Sequence, residues 1–166
     1  PEFINGFGLT TGYKNFDFSF FFQGSARSSF WIDPTATAPF VSDSSLGGNN
    51  QRALLKYWSD SHWSEDNSDI FALWPRLSNV ANENNQQTST WFMRDGSFLR
   101  LKSVEIGYSL PQKWIRPISL QNVRLYATGS NLLVFSKFKM WDPEMAGNGF
   151  SYPLQRVFNF GINIEF

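Results

Sequence analysis

The chain contains no cysteine in its 166 residues, which rules out a disulfide framework and a thiolate metal centre. It has one histidine, His62, beside Trp63 in an unpatterned stretch, where a solvated or packed loop histidine is a better reading than a catalytic one. Lys plus Arg number 14 and Asp plus Glu number 14, so no excess charge points to nucleic acid or to an anionic surface. No run approaches the roughly 18 apolar residues of a membrane-spanning helix, so insertion as a β-barrel is the one membrane route left. No initiator Met and no signal peptide open the given sequence, which starts at Pro1, and the expectation is a portion of a longer protein.

Signals for bond chemistry are equally scarce. No Ser stands in a nucleophile-elbow pattern. No glycine-rich phosphate loop opens a helix, and Gly47-Gly48 is turn chemistry. Asp60, Glu65, Asp66 and Asp69 miss the spacing of a calcium loop and read as a solvated acidic segment. The expectation is therefore a protein that is not an enzyme, with no catalytic residue, no metal ligand and no cofactor.

Aromatic residues are abundant, at 18% of the chain, including 18 Phe and 7 Trp. Such content suits a β protein, a carbohydrate-facing surface or a membrane girdle. The closing stretch Leu154–Phe166 is the most informative. One parity carries Phe158, Phe160, Ile162, Ile164 and Phe166; the other carries Val157, Asn159, Gly161, Asn163 and Glu165. Side chains alternate across a strand, so one face is apolar and the other polar or small. A half-buried soluble strand also alternates, whereas an apolar parity that runs out to a terminal aromatic matches the closing strand of an outer-membrane barrel.

Four further runs alternate. Phe7, Leu9, Thr11 and Tyr13 oppose Gly6, Gly8, Thr10 and Gly12; a turn at Lys14-Asn15 follows; then Phe16, Phe18, Phe20 and Phe22 oppose Asp17, Ser19, Phe21 and Gln23. Val104, Ile106, Tyr108 and Leu110 alternate with Ser103, Glu105, Gly107 and Ser109, while Leu99 and Leu101 fall on the other parity. The switch near Lys102 predicts a bulge, or a region above a bilayer. Val123, Leu125, Ala127 and Gly129 oppose Arg124, Tyr126, Thr128 and Ser130. The predicted strands are about 3–13, 16–25, 97–110, 122–135 and 154–166, in an all-β antiparallel fold.

Between the second and third strands, residues 26–95 are rich in Ser, Asn, Asp, Pro and Gly yet hold Trp58, Trp63, Trp74 and Trp91. That length exceeds ordinary loops, so a folded loop with a small aromatic core is expected. Asn50 is a candidate cap for a helix over Gln51–Trp58. The four Trp are weak candidates for contact with a ligand or partner, loop packing being the commoner fate of any one of them. With the C-terminus set in the periplasm, residues 26–95 and 136–152 become external loops, and Lys14-Asn15 and Pro111–Leu120 become short inner turns, the alternation that an outer-membrane barrel requires. Five strands cannot close such a barrel, which starts at about eight, and an open edge in lipid strands backbone donors and acceptors. More strands must therefore come from elsewhere.

The run Asp95-Gly96-Ser97-Phe98-Leu99-Arg100-Leu101-Lys102-Ser103-Val104, followed by Gly107-Tyr108 and Leu110-Pro111, resembles the C-terminal part of SusC/RagA-type TonB-dependent transporters. So do Trp74-Pro75-Arg76-Leu77, Asn131-Leu132, Asp142-Pro143-Glu144 and the stretch from Tyr152-Pro153 to Phe166. The resemblance spans essentially the whole chain and is weakest over Ala26–Ser68. It implies the last portion of a barrel of about 22 strands in the outer membrane of Bacteroidetes-type bacteria. It also implies uptake of oligosaccharides or peptides, a SusD-like surface lipoprotein as partner, and energy from the TonB system through a plug and TonB box outside this chain. On that reading Phe158, Phe160, Ile162, Ile164 and Phe166 meet lipid and form the assembly strand, and Glu105, Arg124, Tyr126, Asn159 and Asn163 face the interior. The rival expectation is a soluble β-sandwich that binds glycans through exposed Trp; a barrel-embedded enzyme is a poorer fit, because acid, base and nucleophile groups are scarce.

Overall fold

The computed structural model describes residues 1–40, 53–79 and 82–166. Its contacts divide the chain into two units. One holds Pro1–Ser28, Ser97–Lys137 and Pro153–Phe166; the other holds Ser29–Gly96 and Phe138–Tyr152.

The first unit is one antiparallel sheet of five long strands: β1 (Phe3–Tyr13), β2 (Phe16–Ala26), β5 (Phe98–Ser109), β6 (Asn122–Ser136) and β7 (Val157–Glu165), hydrogen-bonded in the order β1-β2-β5-β6-β7. Each run alternates at period two, and neighbours along the chain pair, as short un-knotted connections favour. Lys14, at φ 55°, makes the tight β1–β2 turn, and that turn and the β5–β6 link share one end of the sheet. There Ser109 donates its N–H to the Asn15 carbonyl at 2.8 Å, and Gln121 donates to the Glu165 carbonyl at 2.8 Å.

Register decides which side chains share a face. Leu9, Phe20, Val104, Gly129 and Phe158 form one row across all five strands, and Thr11, Phe18, Ile106, Ala127 and Phe160 form the next. The opposite face carries Thr10, Ser19, Glu105, Thr128 and Asn159 in one row, with Gly12, Asp17, Gly107, Tyr126 and Gly161 beside it. The parity switch at Lys102 is a bulge: Ser103 pairs with Phe21 and Leu101 with Phe22, leaving Lys102 without an opposite residue on β2. The insertion returns Leu99 and Leu101 to the side of Val104 and Ile106, so the apolar face continues past the switch. Small residues on β1 have a steric reason as well. A Cβ on Gly6 would lie 2.8 Å from the Phe21 ring, and one on Gly8 would lie 3.1 Å from it.

The second unit has little regular structure: β3 (Ser29–Trp31) paired with β4 (Met93–Asp95), and two single-turn helices, α1 (Pro34–Thr37) and α2 (Lys56–Asp60). Its centre is aromatic. Trp58 and Ile32 are fully buried, and Trp74, Phe92 and Phe138 nearly so. The Trp58 and Trp74 rings lie 5.0 Å apart, Trp74 and Phe92 5.3 Å, and Phe138 meets Trp141 edge-on at 5.0 Å. Phe138 and Trp141 come from the segment after β6, so the two stretches read as separate external loops share one core. Polar ends are satisfied locally. Asp33 accepts from the Ala36 N–H at 3.0 Å and caps α1, and the Trp58 indole donates to the Thr37 carbonyl at 3.0 Å. The expected helix over 51–58 differs from what forms. Asn50, Gln51 and Arg52 lie outside the described residues, Leu54 and Leu55 are not helical, and the turn of helix begins at Lys56 with no side-chain cap.

Candidate functional site

The five-stranded sheet has two chemically opposed sides. On β7, Phe158 is 63% exposed, Phe160 82% and Ile162 62%. Ile164 and Phe166 are exposed with them, as are Phe7, Leu9, Tyr13, Phe16 and Phe18 on β1 and β2. None of these rings is packed in a core of its own. Phe7 stacks on Phe22 at 5.3 Å, and Phe16 meets Tyr108 at 4.5 Å near the tight-turn end. A bare apolar surface of this extent exceeds what a soluble monomer tolerates. It also speaks against the β-sandwich expectation, which requires a second layer over this face; among the described residues none covers it.

The opposite side is built around one cation. Arg124 of β6 donates from Nε to Asp17 Oδ2 at 3.0 Å and from Nη2 to Asp17 Oδ1 at 2.5 Å, a two-pronged grip. The same Nη2 reaches Glu105 Oε1 at 2.6 Å. Strands β2, β5 and β6 each contribute one member, so the triad ties three neighbours together. Gly107 lies between Asp17 and Arg124, where a Cβ would collide with both side chains. Tyr126 likewise lays its ring over Gly161, the residue opposite it on β7. Asn159 donates to the Thr128 hydroxyl at 3.3 Å, and Asn163 stands opposite Arg124. Glu105, Arg124, Tyr126, Asn159 and Asn163 thus all sit on the polar side, with Glu105 and Arg124 bonded to each other. Asp17 was missing from the sequence-derived set. Its parity on β2 is the polar one, but its contact with Arg124, across β5, follows only from the register.

The four loop Trp separate. Trp58 is 0% exposed and Trp74 3%; both are core residues with no surface to offer a ligand, which corrects the expectation for them. Trp63 and Trp91 are half-buried. Trp63 donates its backbone N–H to the Trp74 carbonyl at 3.0 Å. Among the described residues no group of His, Asp and Glu is placed to hold a metal ion, and no helix is long and apolar enough to cross a membrane.

A continuous antiparallel sheet, greasy on one side and ionic on the other, with tight turns at one end and long excursions at the other, is a section of β-barrel membrane wall. No family model matches the chain. It is 30% identical over its full length to TonB-dependent receptor P3 of Formosa agariphila, of which it covers 16%. It is 31% identical over 96% of its length to TonB-dependent receptor SusC of Bacteroides thetaiotaomicron, of which it covers 15%. The chain therefore spans about a sixth of the curated relatives it matches. Its fold superposes on a chain of the RagAB peptide importer in the 'open-open' state with a TM-score of 0.68 and 24% identity, over 98% of this chain and 17% of that one. The chain belongs to the SusC/RagA-type TonB-dependent receptors, proteins of the bacterial outer membrane, and matches the C-terminal part of their barrel.

Proposed function

We propose that the chain supplies five strands and a folded external unit to an outer-membrane importer that takes up oligosaccharides or peptides. The observation that carries this reading is the two-sided sheet, with exposed rings on the face of Phe158, Phe160 and Ile162 and the Asp17–Arg124–Glu105 triad on the other. The apolar face meets lipid. The ionic face lines the interior, where water and charge are tolerated. Further strands of the same protein close the barrel, to about 22 in all, because an open edge in hydrocarbon leaves backbone groups unsatisfied. TonB powers import through parts of the protein beyond these residues, and a SusD-like lipoprotein covers the external side. The name of TonB-dependent receptor SusC supports the first of these partners, and that of the RagAB peptide importer supports a peptide as cargo.

Uptake tests it. Cells carrying the intact gene should accumulate labelled peptide or oligosaccharide, and the label should stop entering when the gene is deleted or a protonophore is added. The full-length protein should co-purify with a lipoprotein from gentle detergent. Unchanged accumulation of both cargo classes after deletion would refute the reading.

A further inference from the structure

The end of the sheet that carries the Lys14-Asn15 turn holds an unbalanced set of charges. Asn15 donates its side-chain N–H to the Ser109 carbonyl at 2.7 Å, which fixes the turn beside the start of the β5–β6 link. The link includes a single turn of helix, α3 (Gln112–Ile115), anchored by the buried Ile115, and Gln112 donates its side-chain N–H to the Gln121 carbonyl at 2.8 Å. Lys14, Lys113 and Arg116 are all exposed here. Among the described residues none of the three is paired with a carboxylate, whereas Arg27, at the other end of the sheet, pairs with Glu2 at 3.1 Å. The acids near the tight-turn end lie on the polar side: Asp17 is gripped by Arg124, and Glu165 shares the parity of Asn163. The apolar side ends in aromatic residues. Register puts Tyr13, Phe16 and Tyr108 in one row across β1, β2 and β5, and Trp114 on the link is exposed. Among the described residues the Tyr13 and Tyr108 hydroxyls and the Trp114 indole have no hydrogen-bond partner. The Lys14 ammonium lies 5.2 Å from the centre of the Tyr13 ring, so this cation stands on the apolar side of the rim.

Tyr and Trp rings, with an apolar body and a polar tip, settle where hydrocarbon gives way to headgroups. Long cationic side chains reach to the same level. Cations at that depth with no carboxylate of their own are answered by lipid phosphate, and several together favour an anionic lipid over a zwitterionic one. We propose that this rim binds the headgroup of an anionic phospholipid, with Lys14, Lys113 and Arg116 answering its charge and the polar tips of Tyr13, Tyr108 and Trp114 donating to its oxygens. The inference rests on the reading that the apolar face meets lipid, and it adds which lipid the tight-turn end selects.

Lipid quenching in the full-length protein, reconstituted in phosphatidylcholine vesicles, tests the site. A bimane label is carried by Ile118→Cys on the link or by Phe160→Cys on the wall, and a minor fraction of acyl-brominated lipid is the quencher. At low salt, brominated phosphatidylglycerol should quench the Ile118 label with an apparent association constant at least about fivefold that of brominated phosphatidylcholine, the preference that one cation near the headgroups supplies. At about 1 M salt the preference should fall towards one. The Phe160 label should be quenched by both lipids alike. Lys14→Gln, Lys113→Gln and Arg116→Gln together should erase the preference at Ile118 while heat-modifiable migration still reports a folded barrel, and the charge-keeping set Lys14→Arg, Lys113→Arg and Arg116→Lys should retain it. Soluble glycerol phosphate should not compete; competition would make the occupant a free phosphate and overturn the lipid. A preference that survives the glutamine changes also overturns the proposal. So does equal quenching at Ile118 by both lipids, or none by either while the Phe160 label is quenched, and these outcomes leave the lipid-facing wall standing. Quenching at neither position is instead the failure of the wall assignment, and the proposal falls with it.

Discussion

Placing a charge on the apolar side of β7 is the sharpest perturbation of this structure. The strand has 9 residues, and at about 3.4 Å per residue it runs about 27 Å between its end Cα atoms. Tilted by about 40°, it rises about 21 Å, which nearly fills an apolar band of about 25 Å. Phe160 is next to the central Gly161, so its Cα lies within about 3 Å of the midplane. Arginine at that depth on the lipid face costs about 2–4 kcal/mol, a drop in the folded-to-unfolded ratio of roughly 30-fold to 900-fold. Asn159 is its neighbour in sequence and nearly as deep, but it points to the polar side, where it donates to the Thr128 hydroxyl at 3.3 Å. Asn159→Arg should therefore cost far less than Phe160→Arg. Folded fractions of the two variants, read by heat-modifiable gel migration and by urea titration in vesicles, give the comparison. Equal losses would refute the assignment of faces.

The loop unit and the sheet interior yield further expectations. Trp58→Ala removes a fully buried ring and the indole bond to Thr37; it should destabilise the loop unit by about 3–5 kcal/mol, seen as faster proteolysis within residues 29–96 while the sheet stays resistant. Arg124→Leu strands the carboxylates of Asp17 and Glu105, so it should reduce the folded fraction more than the triple change Asp17→Asn, Glu105→Gln and Arg124→Leu does. Gly24→Ala would press a Cβ on the Phe98 carbonyl and the Leu99 backbone, neither of which can yield without opening the β2–β5 ladder, whereas at Gly12 the nearest atom is 3.6 Å away. Assembly in the membrane, scored by protease resistance, should fall for Gly24→Ala and hold for Gly12→Ala.

Much of the sheet was legible because one physical signal repeats. Where a strand has an apolar side and a polar side, composition alternates, and the runs around Phe7, Phe18, Ile106, Leu125 and Ile162 coincide with the five long strands. Even the Lys102 bulge left a trace, since an inserted residue inverts parity. The second unit left no such trace. Its elements are three to five residues long, too short for any period to emerge, and its core joins Ile32, Trp58, Trp74, Phe92 and Phe138 across distant parts of the chain. A scattered Trp looks the same in sequence whether it fills a core, as Trp58 and Trp74 do, or is half-buried, as Trp91 is. The Asp17–Arg124 pair was hidden for a related reason: its members are 107 residues apart, and only the pairing of β2 and β6 with β5 brings them together.

The most direct measurement is a nitroxide scan of β7 in lipid vesicles, with one cysteine introduced at a time from 157 to 165 into a segment that has none of its own. Collision with oxygen reports hydrocarbon, and collision with a nickel chelate reports water. The account predicts a period of two, with oxygen maxima at Phe158, Phe160, Ile162 and Ile164 and chelate maxima at Asn159, Gly161 and Asn163. Labels that all report water, or that show no alternation, would contradict it.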